Sequence, residues 1–191
     1  LFRSIPEGTG EIPNNAFFGC SSLTTVIIPE SVTNIGSRAF SDCSSLTSVV
    51  IPESIKRIGS FAFYGCSSLT SVVIPKSVKT IGNNAFDGCS SLTSIVISEG
   101  VESIKGRAFF GCSSLTSIFI PKSVTSIGEA VFGGCTSLTS IIVEDGNPIY
   151  DSRDNCNAII ETATNTLIKG CSSPTSITIP SSVTSIRQFA F

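Results

Sequence analysis

Cysteine is the residue type in this sequence that could carry the most chemistry. The chain has 8 cysteines among its 191 residues and no histidine. Cys171 lies in a Gly-Cys-Ser-Ser motif that most of the other cysteines share, whereas Cys156 lies outside any such motif. The remaining cysteines follow one another at a constant interval of 23 residues, at Cys20, Cys43, Cys66, Cys89, Cys112 and Cys135.

Such a series is compatible with disulfides, a metal centre or buried thiols. No C-x-x-C pair is present and histidine is absent, so we predict no metal site. A constant interval is typical of a stacked coil, in which each cysteine would lie about 4.8 Å from the next. That separation permits disulfides between coils, but the regular spacing favours reduced thiols that fill the core as small apolar side chains. The state of Cys156 stays open.

A cluster of oxygen ligands near residue 150 is the second group with possible chemistry. Asp145, Asp151, Asp154 and Asn155 offer the carboxylate and amide oxygens that calcium prefers. Their spacing departs from the EF-hand pattern, because Arg153 occupies a ligand position. We therefore interpret the segment as a solvated turn, with a weak calcium site as the alternative.

The composition gives catalysis little support. Serine is abundant, yet no G-x-S-x-G word occurs and no histidine is present to activate a hydroxyl. We therefore predict that this chain is not an enzyme and that it uses no cofactor. Only 14% of the residues are charged and the net charge is −2, so we expect no nucleic-acid surface. No apolar run is long enough for a transmembrane segment.

A repeat supplies the elements that must position these residues. Phenylalanine and leucine recur at the same interval as cysteine, and one unit, starting at Leu46, reads LTSVVIPESIKRIGSFAFYGCSS. A repeat of this length is typical of a solenoid, because no unit can bury its apolar residues without its neighbours. The repeated positions are Phe17, Phe40, Phe63, Phe86, Phe109 and Phe132, and Leu23, Leu46, Leu69, Leu92, Leu115 and Leu138.

Each unit divides into three pieces. Alternating apolar and polar residues from 46 to 51 predict a short strand, which Pro52 ends. Residues 54–59 form a second extended stretch. Residues 60–66 carry apolar side chains at three-residue spacing, which favours a single helical or 3₁₀ turn. When the units stack, their strands form a parallel sheet along one face.

One unit, from about residue 144 to 171, is longer than the others. It contains the turn signal Asp145-Gly146-Asn147-Pro148. Residues 158–161 and 166–168 then flank a polar segment, as the strands of a β-hairpin do. The chain begins inside a strand and ends inside a unit, so we expect a single array, 1–191, that is truncated within a repeat at both ends.

The repeat resembles the BspA-like, or Treponema-type, leucine-rich repeats. Residues 115–128, LTSIFIPKSVTSIG, are almost a copy of that family's unit, and nearly the whole chain matches. The resemblance implies a repeat solenoid of α/β or mostly β class. It would be a right-handed leucine-rich-repeat coil with a parallel β-sheet on its concave face, and with short 3₁₀ or helical turns and extended segments elsewhere. The longer unit would be a family feature, since similar NPxYxS interruptions occur there.

Serine stands where other leucine-rich repeats have an asparagine ladder, at Ser31, Ser54, Ser77 and Ser123. A hydroxyl there can still bond to the neighbouring backbone, although more weakly than an amide. We therefore expect these serines to take part in the contacts between coils.

The outward positions of the predicted sheet are the candidate binding residues. In each strand one apolar residue follows two hydroxyl residues, and these apolar residues form the strip Ile27, Val50, Val73, Val96, Phe119 and Ile142. A charged column follows the prolines, at Glu30, Glu53, Lys76, Glu99 and Lys122. The strip is either a protein-docking surface, as contiguous exposed apolar patches tend to be, or a set of residues that only support strand pairing.

The resemblance implies a protein-binding module of a bacterial cell-surface or secreted protein, acting in adhesion or in host and microbe contacts. Its partner would be a host matrix or receptor protein, or a surface protein of another microbe. We expect a monomer located outside the cell. A spacer or stalk that presents another domain is one alternative, and an intracellular scaffold in a protist is another.

Overall fold

The computed structural model describes residues 2–172 and 178–191, which form a β-solenoid. This confirms the repeat-solenoid fold class. In chain order the strands are β1 (Phe2–Ser4), β2 (Glu11–Ile12), β3 (Thr25–Ile27), β4 (Asn34–Ile35), β5 (Ser48–Val50), β6 (Arg57–Ile58), β7 (Ser71–Ile74), β8 (Thr80–Ile81), β9 (Ser94–Ile97), β10 (Ser103–Ile104), β11 (Ser117–Ile120), β12 (Ser126–Ile127), β13 (Ser140–Val143), β14 (Tyr150–Asp151), β15 (Ala158–Glu161), β16 (Thr166–Gly170) and β17 (Ser185–Ile186).

Two sides of each coil carry strands that pair with those of the neighbouring coils. The longer strands form a five-stranded sheet, β1-β3-β5-β7-β9, and a two-stranded sheet, β11-β13. The two-residue strands from β2 to β12 form a second, six-stranded sheet. All pairs are parallel, and the register joins equivalent residues of adjacent units, as in Val72 opposite Ile95. The strand predicted for residues 46–51 is therefore present but shorter, at Ser48–Val50.

The third side of the coil is a run of turns, and here the expected helical turn is absent. In the second complete unit, Phe61 and Gly65 adopt left-handed backbone angles, with φ of 59° and 68°. Right-handed helical turns cannot continue through such residues, so the segment forms successive turns instead. The backbone N–H groups also reach the next coil, since Phe40 N donates to the Ala62 carbonyl at 2.8 Å. Within the described residues, the one 3₁₀ turn spans Arg153–Asn155.

Stacked phenylalanines fill the core beneath the turns. Neighbouring rings are nearly parallel, and their centroids lie 5.0 to 5.7 Å apart. This separation matches the distance between coils, so each ring packs on the ring of the next unit. The residues of the stack are Phe17, Phe40, Phe63, Phe86, Phe109 and Phe132.

Glycine in the Ile-Gly word allows the coils to approach closely after the short strands. A Cβ atom added to Gly82 would lie 2.6 Å from the carbonyl carbon of Gly59, and one on Gly59 would lie 2.7 Å from that of Gly36. These distances are shorter than real Cβ contacts, so a larger residue would push the backbones apart. The glycines are therefore part of the 23-residue pattern for a steric reason.

At the start of the longer unit, side chains form hydrogen bonds with backbone groups of the last regular coil. Asn147 Nδ2 donates to the carbonyls of Pro121 and Val124, at 3.0 and 2.9 Å. The Tyr150 hydroxyl accepts a hydrogen bond from Ile127 N at 2.9 Å. Ile127 belongs to the outermost strand of the second sheet, so Tyr150 takes the place of a neighbouring strand there.

Two further polar side chains do the same for strand β13. Ser152 Oγ accepts from Val143 N at 3.1 Å and donates to the Ala158 carbonyl at 2.7 Å. Asn157 Oδ1 accepts from Ile141 N at 3.4 Å. The polar residues of this segment therefore end both sheets, because buried backbone donors need partners wherever a ladder stops.

A hairpin follows, in the place predicted for it. Strands β15 and β16 are antiparallel, and β16 pairs in parallel with β17 of the final unit. Gly170 N donates to the Ala190 carbonyl at 2.8 Å, a bond that phenylalanine makes in the regular coils. The ring of Phe191 lies against Gly170 and leaves no room for a side chain there. The extent of the array as one domain stays a prediction.

Replacing Tyr150 with phenylalanine tests the role of its hydroxyl. The change leaves the buried Ile127 N–H without an acceptor, so we expect Tyr150→Phe to lower the free energy of unfolding by about 1–3 kcal/mol. Urea denaturation gives this value. The matched control is Tyr64→Phe, because the exposed Tyr64 hydroxyl has no hydrogen-bond partner among the described residues. Equal stabilities of the two variants would contradict the assignment.

Candidate functional site

The six residues of the strip lie in line across the longer strands. The register places Ile27 opposite Val50, Val73 opposite Val96, and Phe119 opposite Ile142. Their side chains are between 46% and 75% exposed, whereas the residues that alternate with them are buried. The predicted outward orientation is therefore present in the structure. Whether the strip binds a partner stays a prediction.

Threonines flank the strip, and their hydroxyl groups are already occupied. Thr47 Oγ1 donates to the Thr24 carbonyl at 3.1 Å, and the bond recurs in each later coil up to Thr139. The donor of each threonine hydroxyl is used inside the solenoid. The serines that lie between these threonines and the strip, such as Ser48 and Ser71, are exposed, and their hydroxyls have no hydrogen-bond partner among the described residues, so these hydroxyls can donate to a partner. The strip consequently supplies the large apolar side chains of this face.

The charged column ends in a small network of ionised groups. Lys122 N donates to Glu144 Oε2 at 2.9 Å, and Lys122 Nζ lies 3.5 Å from Glu144 Oε1. The backbone hydrogen bond from Lys122 is the main reason that the pKa of Glu144 is lowered. A hydrogen bond with Glu144 raises the pKa of Glu99. The column thus carries both signs of charge beside an apolar strip.

All eight cysteines are free thiols, and five of them form hydrogen bonds between coils. In each case Sγ donates to the carbonyl of a phenylalanine in the preceding coil, as Cys66 does to Phe40 at 3.1 Å. The thiols therefore do more than fill space, because each gives a buried carbonyl a second hydrogen bond beside the one that it accepts from a backbone N–H. Cys171 is buried but makes no such bond among the described residues. The five donors are Cys43, Cys66, Cys89, Cys112 and Cys135.

The serines at the expected asparagine positions play a smaller part than predicted. Ser31 and Ser123 accept hydrogen bonds from Gly8 N and Gly100 N, at 3.2 and 3.0 Å. The hydroxyls of Ser54 and Ser77 are buried and have no partner among the described residues. The expectation was wrong for these two hydroxyls; in both pairs of coils that do form the bond, the donor in the preceding coil is a glycine.

The aspartates near residue 150 do not assemble into a cation site. Arg153 engages both oxygens of Asp151, with Nε 2.9 Å from Oδ1 and Nη2 2.7 Å from Oδ2. This carboxylate is therefore neutralised by a side chain only two residues away. Across residues 2–172 and 178–191, no group of three or more acidic or cysteine side chains could hold a metal ion.

A groove on the turn side was not predicted from the sequence. It has a volume of about 630 Å³ and is lined by aromatic, arginine and aspartate side chains, including Arg38, Tyr64 and Asp87. The signal was present in the column two residues before each cysteine, where aromatic residues alternate with small or acidic ones. This column varies from unit to unit and so gives no periodic signal.

Comparison with known families identifies the protein family to which this solenoid belongs. A family model of the BspA-type leucine-rich repeat region matches residues 3–113, 56–164 and 155–191, with six copies. The chain belongs to this family. A comparison with curated proteins finds no match. In the part of the chain that the structure describes, no helix is long and apolar enough to cross a membrane.

Solved structures of bacterial proteins share the fold. A leucine-rich cell-surface protein of Faecalibacterium prausnitzii A2-165 is 30% identical, with a TM-score of 0.69 over 92% of this chain and 55% of its own. The Treponema pallidum leucine-rich repeat protein is 28% identical, with a TM-score of 0.54 over 72% of this chain and 78% of its own.

The pneumococcal vaccine antigen PcpA aligns over 100% of this chain and 51% of its own, with a TM-score of 0.84. Its identity is 23%, so that likeness concerns the fold alone. The chain thus spans about half the length of the Faecalibacterium protein and of PcpA.

The buried thiols should make the array sensitive to alkaline pH. Burial raises the pKa of Cys43 and of Cys135 to about 11, and it also raises the pKa of Cys66, Cys89 and Cys112. The unfolded chain therefore loses thiol protons at a lower pH than the folded chain. We expect the free energy of unfolding to fall from about pH 9 to pH 11, by about 1.4 kcal/mol per pH unit for each thiol.

Urea denaturation at a series of pH values, in the presence of reductant, measures this dependence. Cys89→Ala is the matched variant, because it removes one buried thiol and leaves every other titrating group in place. The difference between the two slopes isolates the contribution of Cys89. Parallel curves over that range would show that its thiol titrates as in an unfolded chain.

Proposed function

We propose that this protein is a binding module of a bacterial cell-surface or secreted protein, and that the strip is its docking surface for a protein partner. The observation that carries the proposal is the alignment of six exposed apolar side chains across consecutive strands. Contiguous apolar surface of this kind is typical of protein interfaces. The likeness to a bacterial cell-surface protein supports the location.

The surroundings of the strip favour a protein over a lipid surface as its partner. An interface usually has an apolar centre and a polar rim, and here serine and threonine hydroxyls border the strip on one side. The charged column, with both glutamate and lysine, borders it on the other. Because the column carries charges of both signs, it is complementary to a protein surface that also carries both signs. Such charges would fix the orientation of the partner more than they would add affinity.

Phe119 is the residue of the strip most suited to be an energetic centre. It is the one aromatic side chain among aliphatic ones, and aromatic residues dominate interface energies. Its ring is 46% exposed, so about half of its surface is available for burial by a partner. Five aliphatic neighbours along the strip would then exclude water from the contact.

Lysine substitutions in the strip test the proposal. The probes are immobilised fibronectin, laminin and collagen, and the readout is the dissociation constant from surface plasmon resonance. We expect Val73→Lys and Phe119→Lys each to weaken binding at least about tenfold, since each buries an unpaired charge in the contact. Ser126→Lys, on the exposed face of the second sheet, is the matched control and should bind as the unmodified protein does.

Two results would overturn the proposal. Binding that survives both strip substitutions would place the interface elsewhere on the solenoid. An absence of binding to all three probes would favour the alternative of a spacer that presents another domain.

A further inference from the structure

The turn side of the solenoid carries a row of side chains that alternates in size. Aromatic residues stand in every second coil, and the residues between them are recessed, with Ser41 and Asp87 only 2% and 6% exposed. The row therefore contains hollows that have polar floors and lie beside aromatic side chains. In order along the coils its residues are Phe18, Ser41, Tyr64, Asp87, Phe110 and Gly133.

The hollow between Tyr64 and Phe110 has an acidic floor. Asp87 Oδ2 accepts hydrogen bonds from Asn84 Nδ2 at 2.7 Å and from Arg107 Nε at 3.3 Å. The guanidinium of Arg107 lies over the Phe110 ring, 3.7 Å from its centroid, and Phe189 packs edge-on against the same ring. Arg107 rather than Phe110 therefore lines this hollow opposite Tyr64. Among the described residues nothing donates to Asp87 Oδ1 or accepts from the terminal nitrogens of Arg107. These atoms are available to a ligand.

The hollow between Phe18 and Tyr64 repeats this composition. Its floor holds Ser41, whose hydroxyl donates to Asp42 Oδ2 at 3.1 Å. The guanidinium of Arg38 lies 5.0 Å from the centroid of the Phe61 ring. Each hollow thus combines one carboxylate and one guanidinium, and the aromatic side chains that line the groove are Phe18, Phe61 and Tyr64. The two hollows open into one continuous groove of about 630 Å³.

The backbone geometry points these side chains outward. It also leaves the backbone N–H groups bonded to the next coil, so they are not available to a partner. Arg38, Phe61 and Arg107 have φ angles of 54°, 59° and 56°, a conformation that costs roughly 1–2 kcal/mol for such residues. Their N–H groups donate to carbonyls of the next coil, as Arg38 N does to Ser60 at 2.9 Å. A partner at this face therefore meets side chains, and it cannot add a strand to the sheet.

We propose that this groove binds a neutral, extended oligosaccharide. The C–H face of a pyranose ring packs on aromatic rings, and its hydroxyls pair with carboxylate, amide and guanidinium groups, which are the groups present here. Two arginines and two aspartates balance in charge, so the groove has no preference for an ionic ligand. This site is separate from the strip and does not depend on the proposed function.

The spacing of the hollows supports a polymer over a single sugar. One hollow occurs every two coils, which is a repeat of about 10 Å. Two linked rings of an extended β-linked chain have a similar length, so successive disaccharides would meet equivalent hollows. Each contact is shallow, and affinity would grow with the number of hollows that one chain occupies.

Titration of the isotope-labelled protein with hexasaccharides, followed by NMR chemical shifts, tests the proposal. The probes are β-1,4-linked hexamers of glucose, mannose and N-acetylglucosamine. Hexaglutamate serves as an acidic peptide. We expect at least one of the hexasaccharides to shift the amide signals of Tyr64 and Asp87. We expect Tyr64→Ala to weaken its binding about tenfold, and Tyr64→Phe, which keeps the aromatic wall, to leave it nearly unchanged.

Asp87→Asn and Val73→Lys separate the groove from the strip. The first should weaken saccharide binding, because it alters the acceptor on the floor, and the second should not. No shift with any hexasaccharide at about 10 mM would overturn the proposal, as would binding that tolerates Tyr64→Ala. Binding of hexaglutamate alone, with the same dependence on Tyr64, would assign the groove to an acidic peptide and also overturn it.

Discussion

The structure depends on the register between one coil and the next. A single 23-residue unit leaves its strand edges unpaired and its apolar side chains exposed, so its neighbours must complete it. All three sides of the coil join each unit to the next in a fixed register. Val72 pairs beside Ile95 on the first side, Ile58 beside Ile81 on the second, and Phe40 N reaches the Ala62 carbonyl on the third. A shift of one residue would disrupt every one of these contacts.

The residues that repeat and those that vary consequently have different tasks. Phenylalanine repeats because each ring stacks on its own copy in the next coil, and cysteine repeats because each thiol donates to a phenylalanine carbonyl of the preceding coil. Residues that point away from the stack are free to vary, and both proposed surfaces consist of such residues. The strip varies little, from valine to phenylalanine at Phe119, whereas the turn-side groove varies from Arg38 to Phe61 at one position.

Much of the fold could be predicted from the sequence, because buried residues dominate the repeat. Periodicity placed the strands, the hairpin at β15 and β16, and the outward orientation of the strip. Periodicity could not predict the turns, because apolar residues at three-residue spacing are equally typical of a helix. The left-handed φ of Phe61 is a backbone property that the apolar pattern does not reveal. Periodicity also could not predict the hydrogen bonds of the thiols, because a buried cysteine has the same place in the pattern as an apolar residue. The turn-side groove could not be predicted from the repeat, because the residues that line it differ between units.

Removing part of the array tests the dependence on register most directly. A variant lacking residues 70–92 loses one 23-residue unit and joins Leu69 to Thr93, so every remaining contact between coils can form. A variant lacking residues 70–91 retains one extra residue, which turns the following side chains to the wrong face. We predict cooperative urea unfolding for the first variant and loss of the cooperative transition, or a much lower midpoint, for the second. Equal unfolding midpoints would contradict the account.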